Sequence, residues 1–203
     1  MLGRIAHVAR AGGPPGDLVT VEPAWRPTAE QIEAARGAGI RDVIAPGLRV
    51  LFCGINPGLY TAAIGHHFGR PGNRFWTALH RAGFTERVLS PFEERALLDR
   101  RLGVTNLVNK ATRVAEEVTT EELRAGAVAL ERKVRRFGPR TVALLGLGAY
   151  RLAFARPRAA VGRQPERIGS ADLWVLPNPS GRTASYQMDR LAELFATLRG
   201  AVT

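Results

Sequence analysis

Along the chain, short runs of β-branched and other apolar residues alternate with segments in which apolar positions recur every three or four residues. That alternation is expected of a parallel sheet wrapped by helices. It predicts four strands: Leu48 to Cys53 after the turn at Pro46-Gly47, Val104 to Val108, the wholly apolar Thr141 to Leu145, and Leu173 to Leu176. Thr28 with Gln31 three residues on is a capping-box pattern that opens a short helix stopping at Gly37. A helix from about Asn73 to Ala82 turns Phe75, Trp76 and Leu79 inward and closes at Gly83. Ser90, Pro91 and Glu93 start another, which ends before Gly103. Thr119 and Glu122 open a longer one with Leu123, Ala127, Leu130 and Val134 on one stripe, stopped by Gly138-Pro139. A short helix around Ala149 to Ala155, an Arg-rich loop and an amphipathic helix from Ser185 to Arg199 complete the pattern. The expected class is α/β: a three-layer α/β/α sandwich around a central, mainly parallel, four-stranded sheet, without internal repeats. Residues 1–26, rich in Gly, Pro and Ala and without periodicity, read as a flexible N-terminal arm before a single domain over 27–203.

With 203 residues and 45% apolar content, the chain fits one ordinary α/β domain with a real core. A formal charge of +11 favours a polyanionic partner, nucleic acid first, because Lys and Arg release condensed counterions from a phosphate backbone. The basic residues are almost all Arg beside abundant Ala and Gly, so compositional bias is the competing explanation. The single cysteine, Cys53, lies in an apolar run and reads as a small buried hydrophobe in a reducing compartment, not a nucleophile. No apolar stretch approaches the roughly 20 residues of a membrane span, and the first 20 residues lack a signal peptide's apolar region. A cytoplasmic protein with no membrane partner is expected.

In open parallel sheets, ligands bind at the carboxyl ends of the strands, which directs attention to the loops after the first and last strands. The first reads Gly54-Ile55-Asn56-Pro57-Gly58, continues through Leu59 to Gly65, and then runs His66-His67-Phe68-Gly69-Arg70-Pro71-Gly72-Asn73-Arg74-Phe75-Trp76. Glycines flanking Asn56-Pro57 let backbone approach a ligand, while Pro57 fixes the turn and leaves the Asn56 carboxamide projecting from a rigid strand end. The second reads Leu176-Pro177-Asn178-Pro179-Ser180-Gly181-Arg182-Thr183, whose small polar residues ahead of a helix can reach a phosphate through backbone amides.

These blocks resemble those of the mismatch-specific uracil and thymine DNA glycosylases, family 2 of the uracil-DNA glycosylase superfamily. Gly54 to Gly58 matches their GINPG motif, Pro71 to Trp76 resembles their PxNRFW block, and Asn178 to Gly181 is similar to their NPSG loop. Order and separation agree too, and the resemblance runs from about Asp42 to the C-terminal helix. It implies a monofunctional, cofactor-free monomer that acts on double-stranded DNA holding a damaged or mismatched base. Such an enzyme flips the nucleotide out and hydrolyses its glycosidic bond with water, which initiates base excision repair. Asn56 would orient that water; a carboxamide does not titrate near neutral pH, so slow turnover is expected. Phe68 matches the aromatic that stacks on the flipped pyrimidine, an interaction worth about 1–3 kcal/mol. Backbone amides near Ile55 and Phe68 would stabilise charge on the leaving base. Held mostly by backbone, the pocket is expected to admit uracil, and also thymine or ethenocytosine. Tyr60 and Thr61 stand where bacterial members have small serines near the pyrimidine C5 edge, and the bulk of Thr61 implies conflict with a 5-methyl group. Asn178, Ser180, Gly181, Arg182 and Thr183 would enter the gap left by the flipped nucleotide. Bacterial members carry Gly-Leu-Ser at the wedge, so Arg182 is the candidate plug here.

Taken singly, these residues have plainer readings: Asn56 as a turn residue, Phe68 as a core aromatic, Tyr60 as a surface ring. His66-His67, without a nearby third ligand, read as a solvated pair, and no metal is expected. Asn106 faces the site by topology without an assigned role. Gly146-Leu147-Gly148 lacks the third glycine of a nucleotide fingerprint and reads as a tight strand-to-helix turn. The basic run at 132–136 reads as the wet side of its helix. Two other function classes stay open. One is a non-catalytic module that binds mismatched DNA, against which the intact first block argues. The other is a hydrolase of free nucleotides, against which the positive charge and the lack of an acidic metal cluster argue. Neither motif contains a lysine that could form a Schiff base with the sugar.

Overall fold

The computed structural model describes residues 26–180 and 186–203. The expected N-terminal arm lies outside them except for Arg26, and Gly181, Arg182 and Thr183 of the second loop lie outside them altogether. Among the described residues one sheet forms from β1 (Val50–Gly54), β2 (Leu102–Asn106), β3 (Thr141–Leu145), β4 (Gly162–Ile168) and β5 (Ala171–Leu176). The strand order is β2-β1-β3-β5-β4. The first four in that order are parallel, and β4 runs antiparallel to β5 at the edge.

The sheet therefore has five strands, not four. β4 is the segment that reads as an Arg-rich loop, and its sequence hides it for a physical reason. An edge strand half in water needs only alternate positions inside, here Gln164 and Ile168, while Arg163 and Arg167 face out and pair with Asp172. Pro165 sits where the register with β5 shifts, the place in a sheet edge where proline is tolerated. By contrast β1, β2 and β3 are buried at every position.

Six α-helices, α1 (Ala29–Ala34), α2 (Leu59–Ile64), α3 (Phe75–Arg81), α4 (Thr120–Phe137), α5 (Leu147–Ala153) and α6 (Met188–Val202), join a long 3₁₀ helix at Pro91–Arg100 and a single 3₁₀ turn at Ala115–Glu117 among the described residues. Capping boxes close at Thr28/Gln31, Ser90/Glu93 and Thr119/Glu122 as the spacing predicts. One face of the sheet carries Phe52, Val104, Leu145 and Trp174 against Phe75, Leu79, Leu97 and Phe195 from α3, the 3₁₀ helix and α6. The other carries Leu51, Cys53, Leu144 and Val175 against Leu123, Leu130 and Val134 of α4 and Tyr150 of α5. In the turn after β3, Gly146 takes φ +150 directly before α5, the strand-to-helix turn its sequence suggests. Helix α2 is unannounced in the sequence: it lasts less than two turns between Gly58 and the left-handed Gly65. No described helix is long and apolar enough to cross a membrane.

Candidate active site

The parallel strands end at one rim of the sheet, and the residues just beyond them enclose a pocket of about 110 Å³. A cavity of roughly 150 Å³ takes up one benzene ring, so this pocket has the scale of a single planar ring. Gly54 pairs with Asn106 across the β1–β2 ladder. Past the sheet edge the two chains stay zipped: the Leu107 and Val108 N–H groups donate to the Gly54 and Ile55 carbonyls at 2.8 and 2.9 Å, and the Thr112 N–H donates to the Pro57 carbonyl at 3.2 Å.

That pairing sets Asn56. Its Nδ2 donates to the Lys110 carbonyl at 2.9 Å, the Thr112 hydroxyl at 2.7 Å and the Pro57 carbonyl at 3.2 Å. Carbonyls only accept, so the NH₂ end must face them. The Thr112 hydroxyl spends its own proton on the Val114 carbonyl at 2.7 Å and so presents a lone pair to Asn56. A flipped carboxamide would set oxygen against oxygen. Oδ1 is thereby left as the acceptor that Asn56, a residue of the pocket lining, can offer to a water or substrate.

Phe68 has φ +53, a left-handed backbone uncommon for a bulky residue. Its ring stacks on buried Phe75 with centroids 4.0 Å apart. It also lies over Gly54, where an added Cβ would fall 3.3 Å from the ring and 2.6 Å from Asn106 Oδ1. The two residues before it are pinned by Glu94 of the 3₁₀ helix. The carboxylate accepts from the His67 N–H at 2.7 Å and lies 3.1 Å from His67 Nδ1 and 3.0 Å from His66 Nδ1. This corrects the reading of a solvated histidine pair, since His67 is only 1% exposed. Burial pushes the Glu94 carboxyl up, but hydrogen bonds from the His67 side chain and backbone and from His66 outweigh it, and the group is held below the ordinary carboxylate value.

The second loop is tied to the first by Arg74. Its backbone N–H donates to the Pro179 carbonyl at 3.0 Å, and its guanidinium reaches the Ser180 carbonyl at 3.0 Å and the Tyr186 carbonyl. Asn178 Oδ1 accepts from the Ser180 N–H at 3.0 Å and shapes the turn. Ile55, Asn56, Thr61, Phe68, Asn178 and Ser180 thus converge on one pocket, and Tyr60 is not part of its lining. Sequence reasoning overlooked Thr112 and gave Asn106 no role, although Asn106 ends β2 and Thr112 lies on the loop after it, at the same rim. The rule that singled out the loops after β1 and β5 applied to it equally. Cys53 is fully buried, and burial pushes its thiol up to about 12, so it remains an uncharged part of the core.

The model of the Uracil DNA glycosylase superfamily matches residues 41–199. The fold is similar to a solution NMR structure from Methanosarcina acetivorans described as a candidate uracil DNA glycosylase, with TM-score 0.56 and 20% identity over 81% of this chain and 97% of that one. At that identity the likeness speaks for the fold.

Proposed function

The chain belongs to the uracil DNA glycosylase superfamily, and on that premise we propose that it is a monofunctional, mismatch-specific glycosylase that removes uracil, and related damaged pyrimidines, opposite guanine in double-stranded DNA. The observation that carries the reading is the Asn56 carboxamide, whose nitrogen is committed to the Lys110 carbonyl and the Thr112 hydroxyl. Its oxygen can hold a water against the anomeric carbon of a flipped nucleotide. A neutral acceptor cannot strip that water of its proton, so the glycosidic bond must stretch first and the sugar carry positive charge when water adds. Asn56 then contributes by position, and position alone can be worth orders of magnitude in rate.

The base would lie against Phe68, with Thr61 beside it and the Asn106 carboxamide at its edge, all three being lining residues. Asn106 brings one donor group and one acceptor, which complements a pyrimidine edge that places an N–H beside a carbonyl. A side-chain amide of this kind adds to the backbone contacts expected from the sequence and narrows the range of bases admitted. Ser180, a residue of the pocket lining, would face the DNA strands.

The test is excision from end-labelled duplexes containing one U, T or ethenocytosine opposite G, together with single-stranded U, followed by alkali. Cleavage at duplex G·U above the other substrates is expected. Asn56→Ala should lower it about 100-fold with duplex binding retained, and Asn106→Leu about 10-fold, the cost of one lost hydrogen bond. Tight duplex binding without cleavage of any base would replace the enzyme by a mismatch-binding module.

A further inference from the structure

We propose that residues 33–40, upstream of the segment matched to the superfamily, are a strap that holds the loop after β2 where it fixes the Asn56 carboxamide, with Thr112 as the positioning residue. The inference rests on the reading of Asn56 as the residue that orients water.

Residues 107–112 form the middle ply of three. On one side lies the first loop, zipped on by the Gly54, Ile55 and Pro57 carbonyls. On the other lies the strap: the Gly37 N–H donates to the Ala111 carbonyl at 2.9 Å, and the Ala111 N–H donates to the Ala38 carbonyl at 2.8 Å. The Ile40 N–H donates to Asn109 Oδ1 at 2.8 Å. The division alternates along the ply. Asn109 and Ala111 serve the strap, whereas Lys110 and Thr112 serve Asn56. Successive residues of an extended segment turn their groups to opposite sides, so a single backbone path satisfies both neighbours. If the strap withdrew, the Lys110 carbonyl and the Thr112 hydroxyl would lose the backbone pairing at Ala111 that sets their height against Asn56 from that side.

The fit is close. A Cβ on Gly39 would fall 2.7 Å from Asn109 Nδ2 and 3.0 Å from the Asn109 carbonyl oxygen, so a larger residue must displace the Asn109 side chain that accepts from the Ile40 N–H and press on the backbone of the ply. Outside it, Glu33 pairs with Arg113 at 2.7 Å and with Arg36 at 2.9 Å, and Arg36 reaches Glu117 at 3.1 Å. Exposed ion pairs contribute little singly. The backbone pairing and the Gly39 contact therefore do most of the positioning.

Three variants of the full chain separate the possibilities: Thr112→Val, which keeps the shape and removes the hydroxyl, Thr112→Ser, which restores it, and Gly39→Ala, which wedges strap from ply. Each is compared with Asn56→Ala in single-turnover excision at G·U and in binding to a duplex carrying an uncleavable 2′-fluoro nucleotide. The expected result is a fall of about 10- to 100-fold in excision rate for Thr112→Val and Gly39→Ala. Duplex affinity should stay within about 2-fold, and Thr112→Ser should recover most of the rate. Thermal unfolding of each variant identifies any that fails to fold, and the shape-preserving Thr112→Val decides if Gly39→Ala does. Wild-type rates in both, beside an inactive Asn56→Ala, would overturn the strap and leave the role of Asn56 standing. An active Asn56→Ala would overturn both.

Discussion

Gly54 is the residue over which the site is assembled, because Phe68 and Asn106 both lie where its side chain would be. Only a bare backbone lets a ring and a carboxamide approach one strand end that closely. Thr61 stands on α2 at the same pocket, buried to 6% exposure, in the position from which the family resemblance expects it to meet a pyrimidine C5 substituent. A methyl group in a filled apolar pocket is worth about 10-fold or more in discrimination. Thr61→Ala is therefore expected to raise the ratio of G·T to G·U excision by at least about 10-fold, read from single-turnover rates on the two duplexes. An unchanged ratio would remove Thr61 from the wall of the base site.

At the scale of elements, the 3₁₀ helix acts on the pocket through Glu94, which ties Pro91–Arg100 to the residues just before Phe68. Because the folded carboxyl is held below its ordinary value of 4.5, its contribution to stability is complete above that pH. It is lost as pH falls through the lower, folded value. Thermal unfolding between neutral pH and pH 3 should show the wild type losing stability on this limb, and Glu94→Gln, with no charge to lose, should show a flatter one. At neutral pH the variant should be less stable by about 1–3 kcal/mol, the value of hydrogen bonds to a buried charge. Parallel pH curves would mean that Glu94 does not titrate against the histidine pair. The sheet makes a related point about elements: β1 and β3 are legible as apolar runs because helices cover both faces, whereas β4 is wet on alternate positions and resembles a loop.

For the whole molecule, the charge of +11 predicts how DNA binding responds to salt. Much basic charge is paired internally, as in Arg36–Glu33, Lys110–Glu122 and Lys133–Asp42; Arg70 and Arg113 stand at the pocket lining, Arg113 paired there with Glu33. If these two neutralise backbone phosphates, log Kobs should fall with log salt at a slope of about −2 or steeper, measured by fluorescence anisotropy. A slope near zero would assign the positive charge to composition alone. The amino-acid sequence by itself determined the parallel core, the capped helices and the motif blocks of the two loops, because these depend on local periodicity, on caps within four residues and on contiguous residue types. Only the tertiary structure decided the partners of those blocks. Thr112 lies 56 residues from the Asn56 it orients, Glu94 lies 27 from His67, and Asn109 lies 69 from Ile40. A polar side chain carries no mark of the distant group it will meet; folding the parallel strands to a common rim creates that pairing.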